Sequence, residues 1–342
     1  MPATAPSAAT FDGFYLRNSL ACDGKVPSAG SYCLCPDIIA SATPIEDAGS
    51  MLSSQQSWNT TYDVQPTPGE RCYLYVRGLD GSATAFEGSL GLCWAPAQLI
   101  MFPQAWRSNE LPAADGTAAV KVSAASGHIG VGEEPFEWAR PPLLPDPGEY
   151  LAFVAYASRS SASQPPPAVD SWAQMSELLT QRLDLGFRNS AAVDRNADGW
   201  YRRIRVQVPS CLPTAQIALT LTTVGFVGNT IGLIGDLFAS DRTPMMLRPA
   251  SIVQDGAATA ITVSLSGGET IDFAVQYWKT GAAPEHGSTA RLTADYAVPD
   301  HELEQAGSRG LVSPSHSRML SDALQIKPTA FLPLGAATLI AT

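Results

Sequence analysis

Apolar and polar side chains alternate one by one in several short stretches of the chain. Examples are residues 73–77, 204–208, 217–221 and 271–275. A period of two is typical of a β-strand that has one face in the core and the other toward solvent. Gly, Pro, Asp and Ser interrupt the alternation about every dozen residues, which is the strand spacing of antiparallel sandwiches. The pattern therefore predicts a mainly β protein.

The length of the chain and the position of these strands predict two sandwich domains. The chain has 342 residues, enough for two domains of ordinary size. We predict a disordered lead over residues 1–10, a first β-sandwich over 11–190 and a second over 191–342. One amphipathic helix over 170–184 is predicted to link them, with Asp170 as its N-cap. Its apolar stripe has helical spacing and consists of Trp172, Met175, Leu178, Leu179 and Leu183.

Four motifs resemble a known group of proteins. They are residues 14–18 (Phe-Tyr-Leu-Arg-Asn), 73–78 (Tyr-Leu-Tyr-Val-Arg-Gly), 102–106 (Phe-Pro-Gln-Ala-Trp) and 185–189 (Leu-Gly-Phe-Arg-Asn). The chain resembles uncharacterised bacterial proteins with an Ig-like, cell-adhesion-related domain, although Cys35 stands where that group has Ser. The resemblance implies modules used for adhesion, display or delivery, and it carries over no catalytic residue. Because both halves show the same strand rhythm, we expect two tandem Ig-like antiparallel β-sandwich domains with one linking helix.

Composition and charge limit the partners. Charged residues make up only 15% of the chain, and the formal net charge is −11. An acidic chain repels phosphate groups, which excludes nucleic acid as a partner and disfavours an anionic membrane. Residues 1–7 have neither a basic start nor an apolar run, so no Sec signal peptide is predicted. We expect a chain that is cytoplasmic as made, with non-Sec export or association with a particle as alternatives.

The cysteines are predicted to be reduced. Six are present, namely Cys22, Cys33, Cys35, Cys72, Cys93 and Cys211. Without an export signal, buried free thiols are the expected state. A Cys72–Cys93 disulfide across the sandwich is the alternative if the protein leaves the cell. The spacing of Cys33 and Cys35 is too narrow for an ordinary zinc site.

One loop matches the opening of a calcium-binding loop. Asp194, Asn196 and Asp198 occupy alternate positions, and Gly199 permits a sharp bend. The twelfth position of a complete loop is Arg205 where Glu would be expected, and a strand follows where a helix would be needed. The sequence therefore leaves two interpretations open, a Ca²⁺ site completed by other oxygens or a polar β-turn.

No catalytic motif stands out. The nucleophile elbow, the Ser-x-x-Lys pair and the His-Glu-x-x-His metal motif are all missing from the sequence. The late histidines His286, His301 and His316 have no spacing that fixes a metal site. Whether the protein is an enzyme stays open, although the sequence favours a non-enzymatic binding or structural module of a bacterial surface, particle or secretion assembly. Protein partners or self-assembly are the expected interactions.

Two alternative functions remain open. Thr and apolar residues alternate over 215–235, as in membrane-inserting hairpins, so a secreted toxin or effector is one alternative. Core strands are the simpler interpretation, with Ile217, Leu219 and Leu221 inward and Thr220 outward. The other alternative is a carbohydrate-binding or carbohydrate-active protein, in which three loop tryptophans stack on sugars. These tryptophans are Trp58, Trp106 and Trp138.

Overall fold

The computed structural model describes residues 9–62, 65–66, 69–139, 141–159, 165–236, 246–256, 258–327 and 329–342. The chain is mainly β, with 41% strand and 13% helix, as the alternation predicts. Below, the N-terminal half means the described residues up to 188, and the C-terminal half means those from 190 onward. The described helices are α1 (Ala48–Ser53), α2 (Gln55–Trp58), α3 (Pro103–Trp106), α4 (Trp172–Thr180), α5 (Leu303–Ser308) and α6 (Pro314–Leu324).

The N-terminal half contains two main sheets that enclose an apolar core. Its strands are β1 (Ala9–Thr10), β2 (Phe14–Tyr15), β3 (Lys25–Val26), β4 (Ile38–Ser41), β5 (Cys72–Asp80), β6 (Phe86–Pro96), β7 (Val120–Ala124), β8 (Ile129–Val131), β9 (Phe136–Trp138), β10 (Leu151–Ser158) and β11 (Leu185–Arg188). One sheet has the order β11-β10-β6-β7, and the other has β2-β5-β4 with β8 and β9 also on β5. Leu74 and Val76 of one sheet and Leu92 and Phe153 of the other share one core.

The C-terminal half also contains two main sheets, one of five strands and one of four. Its strands are β12 (Ser190–Val193), β13 (Gly199–Gln207), β14 (Ala215–Val224), β15 (Thr230–Asp236), β16 (Met246–Ser251), β17 (Ala258–Leu265), β18 (Thr270–Trp278), β19 (Thr289–Ala297) and β20 (Phe331–Ala341). The sheets have the orders β12-β20-β19-β14-β17 and β13-β18-β15-β16. Their facing side chains form one core. The β12–β20 pair is parallel, so this half is not wholly antiparallel as predicted.

Backbone and side-chain contacts join the two halves. Residues 97–99 pair with β13, because the Leu99 amide donates to the Arg205 carbonyl at 2.7 Å and the Arg205 amide donates to Ala97 at 3.1 Å. Buried Asn189 donates to the carbonyls of Gln98 and Ala336 at 2.7 and 2.8 Å. A single apolar cluster also includes residues of both halves. The division at 190/191 into two domains stays a prediction.

The predicted linking helix is shorter than expected. It is α4, and its N-cap is Ser171, whose hydroxyl accepts from the Gln174 amide at 3.3 Å. Asp170 therefore lies one residue before the cap, and its amide donates to the Gln174 side chain. The apolar stripe is buried, but not mainly on the first sandwich, where we expected it to pack. It packs on β20, and Trp172 stacks on Tyr296 with ring centroids 6.0 Å apart.

The end of the predicted disordered lead is ordered. Ala9 and Thr10 form β1, which pairs with Val26 and Lys25 of β3. Residues 1–8 of the lead lie outside the described residues. The prediction is therefore wrong for the last two positions of 1–10, where a strand ladder fixes the backbone.

Strand β14 is buried on both faces. Ile217, Leu219 and Leu221 point into the core, as predicted. Thr220 was expected to face water, but it is only 2% exposed. The reason is that α6 and Phe331 cover the second face, where Leu320 packs on Ala218. Residues 215–235 thus lie largely in strands of the C-terminal core.

None of the helices in the described part of the chain has both the length and the apolar character of a bilayer-spanning helix.

Candidate binding site at one tip of the C-terminal half

Four loops of the C-terminal half meet at one end of its two sheets. The strand pairings place them together, because Gly199 and Thr230 both pair with Trp278, and Val224 pairs with Thr289. The loops consist of residues 194–198, 225–229, 252–256 and 279–288. Together with Val224 and Trp278 at the adjoining strand ends, we call this surface the loop tip. Loops at the end of a sandwich are a common place for binding residues, because the sheets hold them rigidly.

An aromatic cluster forms the base of the loop tip. Trp200 stacks on Tyr277 with ring centroids 5.0 Å apart, and Phe226 packs edge-on against both rings at 6.3 and 5.5 Å. Phe226 comes from the loop itself, whereas the other two rings belong to β13 and β18. Aromatic pairs of this geometry stabilise beyond the area they bury. The cluster therefore anchors the loop 225–229 to the sheet below it.

Asn229 ties two of the loops together. This side chain is 1% exposed. Its Oδ1 accepts from the amides of Thr280 and Gly281, each at 3.2 Å, and from the Tyr277 hydroxyl at 3.3 Å. Its Nδ2 donates to the Ala282 carbonyl at 2.9 Å. One buried amide therefore fixes the start of the loop 279–288 against the loop 225–229.

Four apolar side chains are exposed on this rigid base. Val224 is 48% exposed, Val227 49%, Val253 80% and Trp278 37%. Seven tryptophans are present, all within the described residues, and Trp278 alone among them is exposed. Sequence analysis missed this site, because its members come from separate loops and only the strand register brings them together.

The three residues predicted to bind calcium lie at the edge of the loop tip. Asp194, Asn196 and Asp198 are all exposed. The Oδ1 atom of Asp194 accepts from the Asn196 amide at 2.8 Å, and the Asp198 carbonyl accepts from the Lys279 amide at 2.9 Å. These bonds describe a polar turn that leads into β13.

The described residues contain no group of three or more His, Cys, Asp or Glu arranged to hold a metal ion. Asp194 and Asp198 are the only two acidic side chains of this loop, and Asn196 adds one neutral oxygen. Calcium prefers six to eight oxygen ligands, so most of a coordination shell would come from carbonyls or water. Calcium binding therefore stays a prediction.

The tryptophans considered for sugar binding are buried. Trp58 is 8% exposed, Trp106 is fully buried and Trp138 is 9% exposed. The guanidinium of Arg17 lies 3.3 Å above the Trp58 ring, and Trp138 packs against Trp94 and Phe153. These rings have structural roles, so the interpretation that they stack on sugars is wrong.

All six cysteines are free thiols in this structure, including the Cys72 and Cys93 pair. Burial raises the pKa of Cys33 and Cys72 to about 11, and that of Cys93, helped by the nearby charge of Glu110, to about 12. A thiol with so high a pKa stays protonated near neutral pH and is a poor nucleophile or metal ligand. The buried cysteines therefore act as small apolar groups.

The late histidines do not assemble a metal site. His286 and His301 are exposed, whereas His316 lies on α6 and its Nε2 is 2.7 Å from Oδ1 of buried Asp295. Burial alone lowers the pKa of His316, but the hydrogen bond and charge of Asp295 outweigh it and raise the pKa. No hydroxyl or thiol in the described part of the chain bonds to the other ring nitrogen, so this pair forms no nucleophilic triad. It attaches α6 to β19.

No protein-family model matches the chain, and no curated protein has a similar sequence. Among solved structures, the chain is similar to the calcium-binding domain CBD12 of CALX1.1, with 6% identity, a TM-score of 0.20, and coverage of 78% of this chain and 92% of that one. The CupB6 tip adhesin from Pseudomonas aeruginosa has 11% identity, a TM-score of 0.15 and coverage of 68% and 88%. The collagen-binding domain of the Erysipelothrix rhusiopathiae surface protein RspB has 9% identity, a TM-score of 0.16 and coverage of 82% and 95%. Similarities this weak support no conclusion about fold or function.

Proposed function

We propose that this chain is a non-enzymatic binding module that holds a protein partner at its loop tip, within a bacterial surface, particle or secretion assembly. The observation that carries the proposal is the group of exposed apolar side chains at the loop tip, on a base held by packed aromatic rings and by the hydrogen bonds of Asn229. The proposed arrangement is two tandem Ig-like sandwiches. It is supported by the presence, in each half, of two sheets around an apolar core.

The loop tip has the features of a protein-binding surface. Tryptophan is enriched among the residues that dominate binding energy at interfaces, and exposed apolar groups rimmed by polar ones mark interaction sites. Trp278 and Val253 provide such groups, and Asp198, Asp255 and Lys279 lie around them. Because the aromatic cluster and Asn229 hold the loops in place, little conformational entropy would be lost on binding.

The charge of the loop tip favours protein over membrane as the partner. Its acidic side chains are Asp194, Asp198, Asp255 and Glu285, and its basic ones are Arg195 and Lys279, so four acids and two bases give a net charge of −2. An anionic lipid surface repels such a site in the absence of a bound cation. A glycan partner would have to stack on Trp278, the one exposed tryptophan.

The experiment that tests the proposal uses a photo-crosslinking phenylalanine analogue in place of Val253. The matched control carries the same analogue in place of Leu143, which is also 80% exposed but lies in the N-terminal half. Both variants are produced in the native host and irradiated, and the adducts are identified by mass spectrometry. We expect a discrete protein adduct at position 253 that the control lacks.

Binding of the identified protein is then measured directly. Val253→Asp should weaken its affinity about tenfold or more, as for a residue near the centre of an interface. Equal adducts at both positions, or an affinity that Val253→Asp leaves unchanged, would contradict the proposal. Co-sedimentation of the wild type with vesicles, without protein adducts, would favour the membrane alternative instead.

A further inference from the structure

The outer strands of the C-terminal sheets differ in how far their edges are protected. The free edge of β13 is covered by the N-terminal half, because the Arg203 amide donates to the Gly148 carbonyl and the Leu99 amide donates to the Arg205 carbonyl. The edge strand β12 receives side-chain donors, since the Gln65 amide donates to the Ser190 carbonyl at 2.8 Å and Arg202 donates to Ala192 at 3.0 Å. Strand β16 contains Pro249, a residue that natural edge strands use against unwanted pairing.

Strand β17 has none of these protections. It is the last strand of its sheet and pairs only with β14 among the described residues. Residues 256–268 contain no charged residue and no proline. In an antiparallel ladder, alternate residues of an edge strand direct their N–H and C=O groups away from the neighbouring strand. A strand of eight residues with this composition is a template for another strand.

We propose that β17 pairs with β17 of a second copy of this chain, in an antiparallel arrangement about a two-fold axis through Thr262. A two-fold axis perpendicular to the sheet keeps each face continuous, because side chains of the same face then oppose one another. In this register Thr262 opposes Thr262, Ile261 opposes Val263, and Ala260 opposes Ser264. The two sheets of five strands become one sheet of ten across the dimer.

The side chains on β17 fit this register. Ile261 lies on the core face and is only half-buried, although its neighbour Val263 is 2% exposed. In the dimer, Ile261 of each copy lies opposite Val263 of the other copy, which gives two such pairs. Cross-strand pairs of β-branched residues stabilise sheets. A shift of the axis to Val263 pairs Ile261 with Leu265, but it aligns only residues 261–265 of β17, whereas the axis at Thr262 aligns residues 259–265.

Charge also favours this edge as the contact between copies. The chain has a net charge of −11, so two copies repel each other over most of their surface. Residues 256–268 form an uncharged stretch that two copies can bring together without opposing like charges. On the other face α6 packs against β17, yet Thr262 and Ser264 of that face are still exposed.

The first test measures the oligomeric state by sedimentation velocity over a range of protein concentrations. We expect a monomer–dimer equilibrium for the wild type. Thr262→Lys places two ammonium groups opposite each other at the two-fold axis and should abolish the dimer, because like charges directly opposite destabilise a strand pair. The matched control is Thr270→Lys, an exposed threonine on β18, which is an inner strand of the other sheet. It should dimerise as the wild type does.

The second test fixes the register with a disulfide. Directly opposite residues of an antiparallel pair have Cα atoms about 4.5–5.5 Å apart, within the range that a disulfide spans. Thr262→Cys, in a background of Cys22→Ser and Cys211→Ser that removes the two thiols not buried, should form a covalent dimer on mild oxidation. Thr270→Cys in the same background should not. A wild type that stays monomeric, a dimer that survives Thr262→Lys, or equal crosslinking of both cysteine variants would overturn the proposal.

Discussion

Replacing Asn229 by Ala tests whether the loop tip is held together as the structure indicates. The substitution removes an acceptor shared by Tyr277, Thr280 and Gly281 and a donor to Ala282. Thr280, Gly281 and Ala282 are exposed, so water can replace most of what their backbone groups lose. The Tyr277 hydroxyl is different, because this residue is only 1% exposed and its hydroxyl would be left without a partner.

The cost follows from these two classes of bond. A buried polar group left unsatisfied costs about 1–3 kcal/mol, and each replaceable bond contributes at most about 0.5–1 kcal/mol net. We therefore expect Asn229→Ala to lower the free energy of unfolding by about 3 kcal/mol. The measurement is urea unfolding followed by tryptophan fluorescence. Asn196→Ala is the control, because that exposed side chain lies in a neighbouring loop and its loss should change stability by less than about 0.5 kcal/mol.

Hydrogen exchange locates the effect. The amides of Thr280 and Gly281 should exchange faster in Asn229→Ala than in the wild type, because they lose their acceptor, while amides at the centre of β19 should be less affected. If both stability and exchange at these amides match the wild type, Asn229 does not organise the loop tip. The argument that binding there costs little conformational entropy would then fail as well.

Three further predictions concern β14, the polar turn and α6. Leu219→Lys should destabilise by more than about 4 kcal/mol, because it buries an unpaired charge. Thr220→Val should stabilise by about 1 kcal/mol, since the buried Thr220 hydroxyl has no hydrogen-bond partner among the described residues. Urea unfolding measures both effects. If the turn binds calcium, millimolar calcium should raise the melting temperature and Asp198→Ala should remove that rise, while no rise in the wild type would leave only the turn. The pKa of His316 is raised in the folded state, so its pairing with Asp295 stabilises fully below about pH 6.5, and this stabilisation is lost as pH rises through the folded pKa. The melting temperatures measured below and above this range should therefore differ less in His316→Gln than in the wild type.

The alternating pattern predicted strands well where one face is buried and the other meets solvent. In β18 the core-facing residues Ile271, Phe273 and Val275 are at most 2% exposed, and the residues between them are only half-buried. The same pattern failed at Thr220, since a helix about a hundred residues later covers the second face of β14. No local pattern reports such a cover, because it depends on how distant elements pack.

Tryptophan position was a poor guide to exposure for a related reason. Trp58 and Trp106 lie in or beside short helices between strands, which made them candidates for surface binding, yet the fold buries both. Trp278 is the last residue of β18, and the alternating pattern accounted for it as an ordinary strand residue. It is exposed because β18 ends at the loop tip. Whether each tryptophan is buried or exposed depends on the length of the connections between strands and on the strand register, and neither can be derived from composition.

The polar turn and the apolar surface share one edge of the loop tip, and this links the two proposals about that region. The Asp198 carbonyl accepts from the Lys279 amide, directly after Trp278, so the turn and the exposed tryptophan are joined by backbone. A calcium ion held by Asp194 and Asp198 would change the net charge of the loop tip from −2 to 0. Thermodynamic reciprocity then requires that calcium and the partner change each other's affinity by the same factor. An acidic partner should bind more tightly with calcium present and a basic partner less tightly, so the sign of the calcium effect would report the charge of the partner surface.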